Sequence, residues 1–482
     1  MIKNNLYRVV LKSILGKYSV YFIQIITMII YARWFPPSAF GVYASIQVFL
    51  LFFLMLSEVG IGPAIINKKD LLAEDRDGLF TITWLLGPFV GVIFIIFSLY
   101  LNLFYGETYY HLYGMAIAVV ILFSSATILP VAFHQREGKF ISLGVYQSIS
   151  EIFSFFTVYI FFTLGETVWG LIFRSVSSSI IFYFICYYKC KDTEFGRPRF
   201  GWKPDAVKPI VSFSLYQFGF NFINYFSRNL DTILVGKFFS MSVLGVYNKS
   251  YELMRYPVQL LGNAITPAIQ PYYSEIRDNK DKMVNQYFDF FEKLLFVSAF
   301  VSLFTFEYAN EIVIVLLGEQ WKDVTPYLQI LAISLPCQIV GVCTSGVYQA
   351  TDNTKLLFNM GLVTSIIKVV AIIIGVITSN LNTLCILLVI SIILGSVINH
   401  LVLFYYVFQY KCKKLLLSVF KIFPIVIIGH FFSSEFKQSW FENFNIYVLL
   451  SLGLLFLIII FALYFIFVIE KSNVEKKFKK SA

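Results

Sequence analysis

Long apolar runs alternate along this chain with short polar segments. Fourteen runs can be marked, at roughly 14–34, 41–66, 79–104, 112–133, 141–164, 168–188, 210–236, 244–270, 287–317, 327–350, 356–378, 383–408, 417–433 and 445–469. A helix needs about 20 apolar residues to cross the roughly 30 Å hydrocarbon layer, and it satisfies its own backbone hydrogen bonds there. The pattern therefore predicts an all-α integral membrane protein of 14 transmembrane helices. The polar segments carry a second pattern. With both termini in the cytoplasm, the outer loops hold only Arg33, Lys237, Lys322 and Lys437, six basic residues lie within spans, and the remaining 28 of 38 Lys and Arg face inward. Moving the frame by one span reverses this bias, so the positive-inside rule places both termini in the cytoplasm.

The chain also repeats itself at an offset of 204 residues. Arg33-Trp34-Phe35 followed by Phe40-Gly41-Val42-Tyr43 returns as Lys237-Phe238-Phe239 followed by Leu244-Gly245-Val246-Tyr247. The same offset aligns Gly60-Ile61-Gly62-Pro63-Ala64-Ile65 with Ala264-Ile265-Thr266-Pro267-Ala268-Ile269. Six spans separate the copies, an even number, so both halves cross the membrane in the same sense. Parallel repeats of this kind predict two six-helix bundles with cargo bound between them. The expected domains are a first lobe at 1–188, a cytoplasmic linker at 189–209 carrying Pro198, Pro204 and Pro209, and a second lobe at 210–408. An appended pair of spans and a basic tail follow at 409–482, giving a 12 + 2 arrangement. Residues 272–290 mix aromatic and charged side chains, which predicts an interfacial helix leading into the ninth span, or a plain connector.

Composition narrows the picture further. With 58% hydrophobic and 14% charged residues, the chain leaves no room for a soluble catalytic domain. The net charge of +10 lies in juxtamembrane segments, Lys189–Lys208, Lys411–Lys421 and Lys471–Lys480. Such clusters favour anionic inner-leaflet lipids by about 1 kcal/mol per charge near the surface, and nucleic acid is not expected as a partner. Cys186 and Cys190 stand one helical turn apart without a nearby His or second Cys pair, so packing is expected rather than a metal site. No cofactor motif is visible, and the first span runs too long for a cleaved signal.

Ionisable groups within spans ask for an explanation, because each costs several kcal/mol there unless paired or wetted. Arg228 and Asp231 share a face of span seven, and Lys249, Glu252 and Arg255 step by three along span eight. Glu58 lies toward the inner end of span two, Glu151 and Lys368 near mid-depth, and Arg174 in the outer part of span six. Arg228–Asp231 and Lys249–Glu252 can be internal pairs that join helices. Arg255, Arg174 and Lys368 lack an evident partner in sequence and are expected to line a hydrated cavity, where they would contact anionic cargo such as a diphosphate. Glu58 and Glu151 are candidates for a coupling proton, or for structural hydrogen bonding.

The stretch Asn224-Tyr225-Phe226-Ser227-Arg228-Asn229-Leu230-Asp231-Thr232-Ile233-Leu234-Val235-Gly236-Lys237-Phe238, with Leu244–Met254 after it, resembles the polysaccharide transporter family. These are the O-antigen (Wzx-type) and teichuronic-acid-type flippases of the multidrug/oligosaccharidyl-lipid/polysaccharide exporter superfamily, whose drug-exporting branch is the MATE family. Pro267, the run Pro271-Tyr272-Tyr273-Ser274, and Ser57-Glu58-Val59-Gly60-Ile61 extend the likeness over essentially the whole chain. The resemblance implies a bacterial inner-membrane flippase, not an enzyme. It would carry an undecaprenyl-diphosphate-linked oligosaccharide to the outer leaflet by alternating access, coupled to an ion gradient. It also implies Arg228, Lys249 and Arg255 as head-group contacts, with Asp231 and Glu252 setting their geometry, and glycan polymerase machinery as a possible partner. The alternatives are a drug or cation antiporter of the same superfamily, which calls for an acidic cavity, and a polytopic glycan polymerase or ligase, which calls for a large outer loop.

Overall fold

The computed structural model describes residues 2–58, 61–67, 72–106, 109–203, 222, 225–410, 413–439 and 445–465. Among them every regular element is helical. Ten helices are long and apolar enough to cross a membrane, or up to 12 if each of two bent pairs is one span. Fourteen were expected. Of the seventh expected span only 225–236 belongs to a described helix, and the eighth carries Lys249, Glu252 and Arg255, which lower its hydropathy. The rest of span seven, Pro204, Lys208, Pro209, Lys411, Cys412 and the tail Lys471–Lys480 lie outside the described residues.

The chain divides into two compact units, Met1–Asn248 and Lys249–Ala482. The first contains α1 (Ile2–Trp34), α2 (Pro37–Glu58), α3 (Ile61–Asn67), α4 (Ala73–Tyr105), α5 (Tyr110–Arg136), α6 (Phe140–Thr163) and α7 (Thr167–Lys189). It ends with α8 (225–238) and the first turns of α9 (Met241–Glu275). Helix α5 packs on α2, α3, α4 and α7, and α6 joins α7 to α1. The buried cluster at its centre includes Phe49, Phe53, Phe94, Ile117, Ile121, Ile172 and Ile233. On α4, Ile93, Ile96, Leu99, Tyr100 and Leu103 recur at helical spacing and are all exposed. An apolar stripe of that kind has no place in water, and lipid is its natural solvent.

Two glycines let α2 and α9 approach backbone to backbone. A Cβ at Gly41 would overlap the Met241 carbonyl, and one at Gly245 would overlap the Pro37 carbonyl. They are the matching glycines of the sequence repeat. The Tyr225 hydroxyl donates to the Val48 carbonyl, which ties α8 to α2. Beyond α7 the polar segment runs along the start of α4. The Arg199 amide donates to Asp77 at 2.9 Å and the Gly201 amide to Thr81 at 2.9 Å. Lys203 pairs with Asp75 at 2.8 Å and with Glu74 at 3.3 Å. Cys186 and Cys190 are fully buried, the latter in an apolar cluster with Phe80 and Phe133.

The second unit contains the rest of α9, then α10 (Lys280–Glu307), α11 (Ala309–Leu316), α12 (Val324–Ala332), α13 (Leu335–Ala350) and α14 (Thr354–Ile377). It continues with α15 (Leu381–Val402), α16 (Lys413–Ser439) and α17 (Ile446–Tyr464). Two runs read from sequence as single spans are bent, α10 against α11 by 75° and α12 against α13 by 51°. At the first break Tyr308 is fully buried, and a Cβ at Gly453 of α17 would collide with its ring. At the second, Pro336 occupies the first turn of α13, where a missing N–H is tolerated. Helices α16 and α17 are packed on α10 through Phe296, Leu303, Ile425, Leu457 and Phe461.

The interfacial helix expected at 272–290 is not a separate element. Residues 272–275 end α9, and α10 starts at Lys280 and runs on to Glu307. The Asn279 side chain accepts from the Lys282 amide at 3.0 Å and so caps α10 at its start. The aromatic residues of this stretch serve packing instead: Tyr273 and Tyr287 are buried, and Tyr287 meets Phe404 and Phe408 edge-on.

Candidate functional site

A cavity of about 590 Å³ opens among the helices of the first unit, lined by residues of α1, α2, α3, α5, α6 and α7. Its charged centre is Arg174 of α7 and Glu151 of α6, whose side chains meet at 3.1 Å. Gln24 of α1 donates to the other Glu151 oxygen at 3.2 Å. The Arg174 guanidinium also lies 5.5 Å from the Tyr31 ring centre, within cation–π reach. Arg174 therefore has a partner, which no residue of its own helix supplies. Five N–H donors serve an Arg, and among the described residues only one hydrogen bond from Arg174 to protein is present, so the others face the cavity.

The polarity of the lining follows from local sequence. The run Arg174-Ser175-Val176-Ser177-Ser178-Ser179 puts hydroxyls on an apolar helix. Ser179 returns its proton to the Val176 carbonyl at 2.9 Å, and Thr127 donates to the Phe123 carbonyl at 2.6 Å. Such back-bonded hydroxyls are satisfied as donors and still accept. Tyr43 and Ser175 share a hydrogen bond of 2.8 Å across α2 and α7. Glu58 also lines the cavity, and its exposed carboxylate has no protein partner among the described residues. Among the described residues, two acids against one base leave the lining with an excess of negative charge.

The second unit holds a different constellation. On α9, buried Lys249 pairs with Glu252 at 2.7 Å, the internal pairing that their spacing allows. The Tyr256 hydroxyl donates to the remaining Glu252 oxygen at 2.9 Å. Arg255 of α9 and Lys368 of α14 lie 6.0 Å and 5.8 Å from the ring centre of Tyr251. The structure thus gathers Arg255 and Lys368, 113 positions apart in sequence, around one aromatic ring. Lys249, Arg255 and Lys368 thus stand near Glu252 and Tyr251 in this unit.

Arg228 and Asp231 belong to the first unit. Asp231 is buried, and it accepts from the Tyr247 hydroxyl and the Thr232 amide, each at 2.9 Å. Arg228 is exposed on α8. Sequence reasoning named all the charges and missed the neutral groups around them. Gln24, Gln47, Gln135 and Gln147 all line the cavity, and Tyr31, Tyr43 and Tyr251 hold or flank the cations. An amide on an otherwise apolar run was the available signal.

Comparison with known proteins matches these features to a recognised group. A family model described as "Polysaccharide biosynthesis protein" fits residues 30–326. Among curated relatives, the lipopolysaccharide biosynthesis protein WzxC of Escherichia coli (strain K12) is 23% identical over 365 residues, 73% of this chain and 71% of that protein. An uncharacterised membrane protein in the cps region of Klebsiella pneumoniae is 24% identical over 67% of this chain and 66% of its own length. The teichuronic acid biosynthesis protein TuaB of Bacillus subtilis (strain 168) is 21% identical over 59% of this chain and 58% of its own. The matches thus span between 58% and 71% of these relatives. Among solved structures, the lipid II flippase MurJ in an inward closed conformation is similar with a TM-score of 0.73 and 15% identity, over 95% of this chain and 99% of that one. An inward-facing multidrug resistance MATE family transporter of the MOP superfamily gives 0.61 and 17% identity, over 79% and 93%. At these identities the likeness to solved structures is one of fold.

Proposed function

The chain belongs to the polysaccharide biosynthesis protein family, and on that premise we propose that it moves a polyprenyl-diphosphate-linked oligosaccharide from the inner to the outer leaflet. Its relatives are named for lipopolysaccharide, teichuronic acid and succinoglycan biosynthesis, the last as a transport protein, and a multi-pass membrane protein of this fold has the architecture for such a task. The observation that carries the reading is the pair of cations on Tyr251. Arg255 is exposed and Lys368 half-buried beside the same ring, a placement open to an anionic group. A diphosphate is such a group, since Arg and Lys bind phosphate oxygens through strong charge-assisted hydrogen bonds.

In this reading Arg228, Lys249, Arg255 and Lys368 serve the head group, with Glu252 and Asp231 orienting their neighbours. Arg174 is committed to Glu151, which leaves Glu58 as the carboxylate most available to a coupling ion. The proposal includes 14 spans arranged as 12 + 2, two six-helix bundles at 1–188 and 210–408, cytoplasmic termini, alternating access and a place beside the glycan polymerase machinery. A cation antiporter is the second reading, and the acidic excess of the first-unit cavity favours it.

Both are tested with the full chain in lipid vesicles. Arg228→Ala, Arg255→Ala and Lys368→Ala should each slow leaflet exchange of a lipid-linked glycan by about tenfold, the loss of one charge-assisted contact, at unchanged membrane abundance. Undiminished exchange in all three variants removes the site assignment. Ion-driven efflux of an organic cation, with no glycan exchange in the native protein, selects the antiporter.

A further inference from the structure

We infer that the first-unit cavity is a binding site for the uncharged sugar rings of the glycan, an assignment that rests on the flippase reading and gives it a second point of contact. The volume of about 590 Å³ falls within the roughly 300–1,000 Å³ of small-molecule sites. What distinguishes the lining is its amides. Gln47 of α2, Gln135 of α5 and Gln147 of α6 all reach the cavity, and among the described residues none of the three side chains has a protein hydrogen-bond partner. A primary amide left dry on an apolar helix forfeits several hydrogen bonds, so these groups are met by water or by a ligand.

The ligand is defined by complementarity. A sugar hydroxyl both donates and accepts, and so does a glutamine amide. Thr127 and Ser179 have spent their protons on their own helices and offer acceptors only. Arg174 offers the opposite, N–H donors with no further protein acceptor among the described residues. Such a mixture suits a ligand that carries hydroxyl or acetamido groups on several sides.

Charge then narrows the class. Glu151 is taken up by Arg174 and Gln24, while Glu58 adds a second acid to the lining. A phosphate or uronate entering here meets net negative charge among the described residues, with Arg174 already paired. Neutral hexoses and N-acetylhexosamines meet no such obstacle. The cavity therefore discriminates among glycans by the charge of their sugars.

The test uses the full-length protein in nanodiscs and three probes. These are undecaprenyl diphosphate alone, the same lipid carrying a neutral trisaccharide begun with N-acetylglucosamine, and the same lipid with glucuronate in the trisaccharide. The neutral glycolipid should bind about tenfold tighter than the bare lipid, and tighter than the uronate form, as a few hydrogen bonds to a built site allow. The double variant Gln47→Leu with Gln147→Leu should bind the neutral glycolipid no better than bare lipid. Its unchanged affinity for bare lipid shows that it is folded. Equal binding of the neutral and bare lipids to the native protein overturns the sugar site and leaves the flippase reading standing. Tighter binding of the uronate form also overturns it. Failure to bind any of the three lipids overturns the flippase reading, and this assignment with it.

Discussion

In the first unit Arg174 and Glu151 meet across two helices beside a cavity; in the second, Lys249 and Glu252 meet three residues apart on one helix. Both pairs reduce the cost of charge among apolar helices, yet they constrain the fold differently. The cross-helix pair holds α6 to α7 and is joined by Gln24 from α1, so three helices depend on one carboxylate. The within-helix pair lies along one face of α9, with Tyr256 completing it from the next turn. The two units also differ in the sign of what remains. The first keeps an acidic excess among amides, and the second keeps cations beside an aromatic ring.

The strongest way to break this comparison is to remove Glu151. Its side chain is 7% exposed and that of Arg174 25%, and Arg cannot shed its proton. Glu151→Ala strands that charge and should destabilise the first unit by about 3 kcal/mol, the lower end of the range for a severed buried pair. Denaturant unfolding in mixed micelles measures it. Replacing both partners, Glu151→Leu with Arg174→Met, should recover most of the loss. If the double variant is no better than the single one, the pair does not act as a unit.

Glu252→Ala should cost less, about 1 kcal/mol, by the same measurement. Its carboxylate is 33% exposed, so water can take up part of what the pair supplies. A loss equal to that of Glu151→Ala would erase the proposed distinction between the pairs. A smaller loss accompanied by slower glycan exchange would sharpen it, because it would place Lys249 and its carboxylate in transport rather than in folding.

How much of this could be read beforehand depended on whether the information lay along the chain or across it. Apolar length predicted the helices, but the repeat showed only symmetry, and the contact of α2 with α9 at its glycines, Gly41 and Gly245, is visible only in the structure. Apolar length could not reveal the bends at Tyr308 and before Leu335, because both arms of each bend are apolar. It also left 272–290 open between an interfacial helix and a connector; the segment holds the end of α9 and the start of α10, with Tyr273 and Tyr287 buried and Tyr272 exposed. The Arg174–Glu151 pair was hidden for a geometric reason. Counted from the turn between α6 and α7, Glu151 lies about one helical turn deeper than Arg174, and the length of the Arg side chain bridges the gap. The glutamines escaped because attention to charge passes over neutral amides, although each is costly to leave dry.

The smallest effect belongs to a third kind of pair, the one at the start of α4 that docks the segment after α7 and has one buried acid, Asp75, and one exposed, Glu74. The hydrogen bonds that Lys203 donates, first to Asp75 and then to Glu74, raise its pKa above the ordinary lysine value of 10.5. A raised pKa means that the folded state holds this proton more tightly, so the contribution is fully present below about pH 10.5 and is lost as pH rises through the higher folded value. Docking should therefore be indifferent to pH from neutrality to mildly alkaline conditions. Trp202, next in the chain and largely exposed, reports it directly. With fluorotryptophan incorporated, its resonance should hold steady to about pH 10.5 and shift only above that, and Asp75→Asn should bring the shift to lower pH. An unchanged onset in Asp75→Asn would mean that the amide contacts of Arg199 and Gly201 with α4 hold the segment by themselves.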